Sequence, residues 1–182
     1  MRNTINLMFI SILLFSCSSL EITESDKQQL LNEQAFAEYG FTFPDAPGGK
    51  YTKYQLPDGA VEIRYTYKGY TIDSNYFYLS NTITTDRYLR DAKETYIAKE
   101  GSIQLSKVIN SKLVVLEGFK FGDESVVYVW YQNDEPAGNY FLFRQKNITY
   151  QLLLQGFYFS DIESWKYFFN SGIAPSIKKI PE

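Results

Sequence analysis

The 182-residue chain contains no histidine and a single cysteine, Cys17. Without an imidazole there is no His-dependent triad, no His-ligated zinc site and no imidazole acid–base step. One thiol excludes an intramolecular disulfide and a Cys-rich metal cluster. An excess of charge of one sign is also missing. Eighteen Lys+Arg face 21 Asp+Glu, a formal net charge of −3, which argues against a nucleic-acid binder that must neutralise phosphates. Beyond the first twenty residues no segment approaches the roughly 18 apolar residues that a spanning helix needs. Aromatics, by contrast, are plentiful: 16 Tyr, 14 Phe and 2 Trp make up 18% of the chain. Disordered chains are poor in such residues, and this length suits one domain around one core.

The first residues read as an address. Arg2 supplies a positive start, and an apolar stretch runs from Ile5 to Phe15 with only Asn6 and Ser11 interrupting it. That is the length of a signal-peptide core and too short to cross a bilayer. It ends in Leu14-Phe15-Ser16-Cys17, which resembles the bacterial lipobox, with Leu three residues before the thiol and a small residue just before it. The resemblance implies cleavage before Cys17, acylation of its thiol and amino group, and a stable membrane attachment through several acyl chains. Ser18, rather than Asp, after the Cys tilts the expected location to the outer membrane of a bacterial envelope, with the domain facing the periplasm. The expected organisation is therefore a signal peptide over 1–16, a lipidated tether over 17–24 and one α+β domain over 25–182.

Within the domain, Ser25 and Gln28 suggest a capping box opening a helix that runs through Leu30, Leu31, Ala35 and Tyr39 to Gly40. A loop with Pro44, Pro47, Gly48 and Gly49 follows. Tyr51–Leu56 and Ala60–Tyr67 flank Asp58-Gly59, a hairpin signal. Val61, Ile63, Tyr65 and Tyr67 alternate with Glu62, Arg64, Thr66 and Lys68, the period of a strand. A third strand is expected over Tyr76–Asn81 and a helix over Thr85–Glu100, with Asp86→Arg90 and Arg87→Asp91 pairs outside, Leu89, Ala92 and Tyr96 inside, and Gly101 as its stop. Strands Leu113–Phe121 and Ser125–Gln132 are expected to join at Gly122-Asp123. Asp134–Gly138 reads as a loop. Strands Tyr140–Gln145 and Ile148–Gln155 join at Lys146-Asn147. Ser160-Asp161-Ile162-Glu163 caps a last helix carrying Ile162, Trp165, Phe168 and Phe169 and ending at Asn170-Ser171-Gly172. Consecutive hairpins imply an antiparallel sheet of about six to eight strands flanked by helices.

Four stretches are similar to the Mog1/PsbP-like family. Phe41-Thr42-Phe43-Pro44 resembles its F-x-F-P opening. The helix from Thr85 to Gly101 matches the place of its first long helix. Leu116-Glu117-Gly118-Phe119, with Phe121-Gly122, resembles its G-x-x-G-x-E hairpin. Asn147 to Leu152, then Trp165 to Ser171, then Ser176-Ile177-Lys178, are similar to its last strand and helix end. The likeness spans about residues 41–180 and implies an α/β/α sandwich. The family's roles are mixed, so the likeness does not carry a function.

Catalytic chemistry finds little support. Glu62, Glu117, Asp123 and Glu124 are the candidate carboxylates for hydrolysis, but nothing in their spacing holds two of them in a cleft. Ser106-Lys107 and Ser176-Ile177-Lys178 lack the Ser-x-x-Lys spacing. There is no Gly-x-Ser-x-Gly elbow and no phosphate loop. Asp134-Glu135, Asp123-Glu124 and Asp161/Glu163 follow no calcium pattern. No cofactor and no metal is expected.

Aromatic recognition is the open alternative, because Tyr and Trp offer rigid apolar area with a polar tip. Tyr76, Tyr78, Trp130 and Arg144 form the expected recognition surface, set against the simpler use of rings as sheet–helix core. The reading is a non-enzymatic lipoprotein, held to a membrane through Cys17, that binds a protein partner or a small envelope ligand. The alternatives are an immunity or inhibitor lipoprotein that blocks a periplasmic toxin or hydrolase, and a carboxylate-dependent hydrolase.

Overall fold

Alternating side chains build the centre of the molecule, as seen in a computed structural model that describes residues 18–44, 48–105 and 111–177. The leader 1–16, Cys17, loop residues 45–47, Ser106-Lys107 and the tail from Lys178 lie outside the described residues. Among the described residues there are eight strands: β1 (Ser18–Ser19), β2 (Gly49–Gln55), β3 (Val61–Tyr70), β4 (Tyr76–Thr85), β5 (Ser111–Val115), β6 (Glu124–Gln132), β7 (Glu135–Gln145) and β8 (Ile148–Gln155). They form one open antiparallel sheet in the order β1-β2-β3-β4-β8-β7-β6-β5. Helical segments are α1 (Glu24–Gln28), a 3₁₀ helix (Glu33–Tyr39), α2 (Leu89–Leu105), α3 (Ile162–Phe168), a π turn (Phe169–Ile173) and α4 (Ala174–Ile177). The α+β class and the antiparallel sheet flanked by helices are as expected.

The period of two divides the residues between the faces. Ile63, Tyr65, Phe77, Leu79, Phe141, Tyr150 and Leu152 point to one face and meet Phe36, Phe159, Trp165, Phe168 and Phe169 in the main core. Rings there pack edge-on, as in Phe141 with Trp165 at 5.1 Å, or stacked, as in Phe159 with Phe168 at 4.7 Å. Most of the aromatic surplus is used in this core. On the second face, Tyr96 and Ile103 of α2 pack on Tyr128 and Leu142. Burial of each such large side chain stabilises the fold by about 1.5–3 kcal/mol.

Several boundaries differ from expectation, each for a local reason. The first helix is capped by Thr23 with Asp26, not by Ser25 with Gln28, and it ends at Gln28. Asn32 then caps a separate 3₁₀ helix that stops at left-handed Gly40. The long helix does not stop at Gly101; it continues to Leu105, and Gly101 is not among the glycines at the positive φ with which a helix stop such as Gly40 ends. Leu89, expected inside, is exposed, and Asp86, expected in a surface pair with Arg90, is buried; Arg90 pairs with Asp91 instead. β5 ends at Val115, so the β5–β6 connection is a longer loop rather than a tight turn at Gly122-Asp123. Asp134–Gly138 is not a loop. Asn133 and Asp134, both at positive φ, make the turn, and β7 starts at Glu135 with Pro136 at a bulge opposite Tyr131. At the Lys146-Asn147 turn it is Lys146 that takes positive φ. Asp161, rather than Ser160, caps α3, and the chain passes Gly172 through a π turn into α4.

The stretch expected as a polar tether is part of the fold from Ser18 onward. Ser18 pairs with Gln55 and Ser19 with Tyr54, and the Leu20 N–H donates to the Lys53 carbonyl at 2.9 Å.

Candidate functional site

The second face of the sheet is only partly roofed. α2 crosses it over β7 and β8 and reaches Tyr128, whose hydroxyl donates to Glu100 at 3.0 Å and accepts from the Gln104 amide at 2.8 Å. Among the described residues, the parts of β3, β4, β8 and β7 toward the β3–β4 turn carry no helix on this face. The register places Tyr78, Gln155, Gly138 and Trp130 in one cross-strand row. Tyr78 and Trp130 therefore stand three strands apart, about 14 Å. Tyr76 lies two residues from Tyr78 on the same face. All three are half-buried.

Gly138 is the feature that shapes this row. It faces Trp130, has no side chain of its own, and is buried between its neighbouring strands. A Cβ there would sit 2.0 Å from the Leu154 carbonyl oxygen, so no larger residue fits without moving the strand. Tyr140, in the next row, packs edge-on to Trp130 with ring centroids 6.4 Å apart. Half-buried Leu153 and Gln155 lie on the β8 side and exposed Lys68 opposite Tyr78. The result is a shallow aromatic floor with polar groups at its margin, a surface suited to stacking and apolar contact. Leu153 and Gln155 were not expected here; the period of two along Thr149, Gln151, Leu153 and Gln155 is the signal that places them.

Arg144 is not part of this surface. It is 8% exposed near the opposite end of β7, where Nε donates to Glu124 at 2.7 Å and Nη1 donates to Asp123 at 2.8 Å and to the Lys146 carbonyl at 3.0 Å. These carboxylates outweigh the effect of burial and hold the guanidinium pKa above its ordinary value. Asp123 and Glu124, two of the candidate carboxylates for hydrolysis, are thus the partners of a buried arginine.

The other candidate acids are scattered. Glu62 is buried beneath α2, accepting from Arg64 at 2.7 Å, Lys99 at 3.1 Å and the Thr84 hydroxyl at 3.2 Å; it was expected on a wet strand face. Glu117 is exposed in the β5–β6 loop. Asp134 pairs with Lys112 at 2.8 Å, and Asp161 accepts the Ser164 N–H of α3. Among the described residues no three Cys, Asp or Glu side chains converge on a point where a metal would sit.

Among the described carboxyls whose pKa is shifted, those of Asp26, Asp134 and Asp161 are lowered, whereas that of Asp86 is raised. Burial pushes its pKa above the ordinary carboxylate range, against the pull of the Thr95 hydroxyl that donates to Oδ1 at 2.9 Å. Its Oδ2 is buried with no hydrogen-bond partner among the described residues. No charged partner faces it at hydrogen-bond distance, and it fixes the corner where β4 turns into α2.

Two open grooves lie on the first-face side. One, of about 480 Å³, runs between α1, the 3₁₀ helix and the C-terminal segment and is lined by Glu24, Lys27, Glu38, Tyr51 and Ser171. The other, of about 590 Å³, is lined by Phe119, Phe121, Lys166 and Phe169. In the first, Glu24 is paired with Lys27 at 2.6 Å, and no acid among the described residues lines the second.

The chain matches no protein-family model, no curated protein and no solved structure.

Proposed function

We propose that this chain is a membrane-anchored lipoprotein of the bacterial cell envelope, with a Mog1/PsbP-like domain that binds a protein partner or a small envelope ligand and has no catalysis of its own. The anchor reading rests on Leu14-Phe15-Ser16-Cys17. The domain reading is supported by the chain order: a hairpin-built group of strands, the long helix α2, a second hairpin group and a final helix.

The observation that carries the binding reading is the row of half-buried Tyr78 and Trp130, which no helix among the described residues covers. A sheet face that needs only to be covered would place its rings under a helix, as Tyr128 is placed under α2. Here Tyr78, Trp130 and Tyr140 keep one side toward solvent. Rigid rings lose little conformational entropy when a partner covers them, which is why such residues carry binding energy.

The test uses a photo-crosslinking amino acid installed at Tyr78 or at Trp130, in cells carrying the full chain. The comparison position is Tyr167, which is 64% exposed on α3 at the other face. Discrete adducts from 78 and 130, with none from 167, are the expected result. Adducts from 167 alone would move binding off this face.

A further inference from the structure

We propose that the sheet end carrying Ser18 faces the lipid bilayer, and that the corner Arg87-Tyr88-Leu89 seats in its headgroup layer. The inference rests on the proposed acylation of Cys17 and adds an orientation to it. Cys17 is bonded to Ser18, so the two Cα atoms are about 3.8 Å apart. From Ser18 onward the chain has no slack. Ser18 and Ser19 are paired to β2, Leu20 is bonded to Lys53, and Thr23 caps α1. An acyl group on Cys17 would therefore hold the sheet end itself against the membrane, with no spacer between.

The register shows what else occupies that end. Ser18 is level with Gln55, Gln55 with Val61, and Val61 with Thr85. β1 and β4 are three strand spacings apart, about 14 Å. Past Thr85 the chain makes a fixed corner. The Asp86 N–H donates to the Asn147 carbonyl at 2.9 Å, and the Asp86 carbonyl accepts the Asn147 amide at 2.9 Å. α2 then turns back over the sheet, where the Ala92 carbonyl accepts the Thr149 hydroxyl at 3.4 Å. Residues 87–89 thus lie at the anchored end, as does the β2–β3 turn around Asp58.

Tyr88 is 55% exposed and Leu89 60% exposed. The Arg87 guanidinium lies over the Tyr88 ring, 5.3 Å from its centroid. A single exposed apolar side chain is ordinary on a protein surface. Two adjacent ones at the anchored end, under an arginine, have the chemistry of a membrane interface. The Tyr ring sits at headgroup depth with its hydroxyl outward, the Leu enters the acyl boundary, and the Arg reaches phosphate. Other charges at this end are of both signs: Asp58, Asp123, Lys146, and Arg90 with Asp91. Seating therefore depends on apolar insertion beside the acyl chains, with one guanidinium at the phosphates, and not on a field of one sign. The far end of β3 and β4, closed by Tyr70 opposite Tyr76, is about 30 Å further out. The aromatic floor rises on that side and stays free for a partner.

The test places the mature protein, extracted from bacterial membranes, in phosphatidylethanolamine–phosphatidylglycerol vesicles that contain a headgroup-nitroxide lipid. Tyr88→Cys, Arg87→Cys and Tyr70→Cys each supply a thiol for a fluorophore. Quenching at 88 and 87 should be several-fold stronger than at 70. Equal quenching at the two ends, or stronger quenching at 70, overturns the orientation. The intact mass of the same samples separates the two ideas. Acylated protein with equal quenching ends the seating alone, whereas protein without acyl chains ends the anchor and the seating together.

Discussion

Asp86 illustrates how one side chain can combine a structural and an electrostatic role. Its backbone ties the β4–α2 corner to the β7–β8 turn, while its carboxyl is buried beside a single hydroxyl donor. A carboxyl that holds its proton more tightly in the folded than in the unfolded chain makes folding more favourable as pH falls through the folded pKa, until the unfolded chain is protonated as well. At neutral pH the charged, partly unsatisfied group works against the fold. In urea unfolding at a series of pH values from 7 down to 4, wild type is therefore expected to gain stability relative to Asp86→Asn on acidification. A constant difference between the two proteins across this range would show that the carboxyl does not titrate as described. Arg144 makes the complementary case. As a residue type Arg144 suits a recognition surface, but its two carboxylate partners come from twenty and more residues away and appear in register only once β6 and β7 pair.

At the scale of elements, glycine had opposite meanings that local pattern could not separate. Gly101 interrupts a helical pattern, which reads as a stop, yet α2 passes through it. Since a Cβ there meets nothing within 4 Å, Gly101→Ala should stabilise the protein by about 0.5–1 kcal/mol, by removing backbone freedom from the unfolded chain. Chemical denaturation checks this, and a destabilised variant would mean that α2 ends where the pattern suggested. Strands with clear alternation, such as β3, were legible because one face is buried along their whole length. β1 was not legible, because two serines carry no alternation and owe their conformation to the edge of β2. The turn at Asn133-Asp134 was hidden by Pro136, which usually marks a loop but here sits at a bulge where its missing N–H is tolerated. Of the candidate site, Tyr76, Tyr78 and Trp130 could be named from residue type alone. That they share one unroofed face depends on pairings between β4, β8, β7 and β6, which the sequence of each strand does not contain.

At the scale of the whole molecule, the sheet order separates two ends and two faces. One end holds Ser18 and the Tyr88-Leu89 corner, and the other rises toward the β3–β4 turn. One face is closed by the aromatic core, while on the other half-buried Tyr78 and Trp130 are covered by no helix among the described residues. A protein bound to a bilayer at the first end would present the open face sideways and outward, where a partner in the envelope could reach it. This layout depends on the thiol at position 17, which is the one cysteine of the chain. The most direct measurement is the intact mass of the mature protein recovered from bacterial membranes. The account predicts a chain that starts at Cys17 and carries a diacylglyceryl group and an N-acyl chain. A mature chain that starts elsewhere, or a Cys17 with a free thiol, would contradict it.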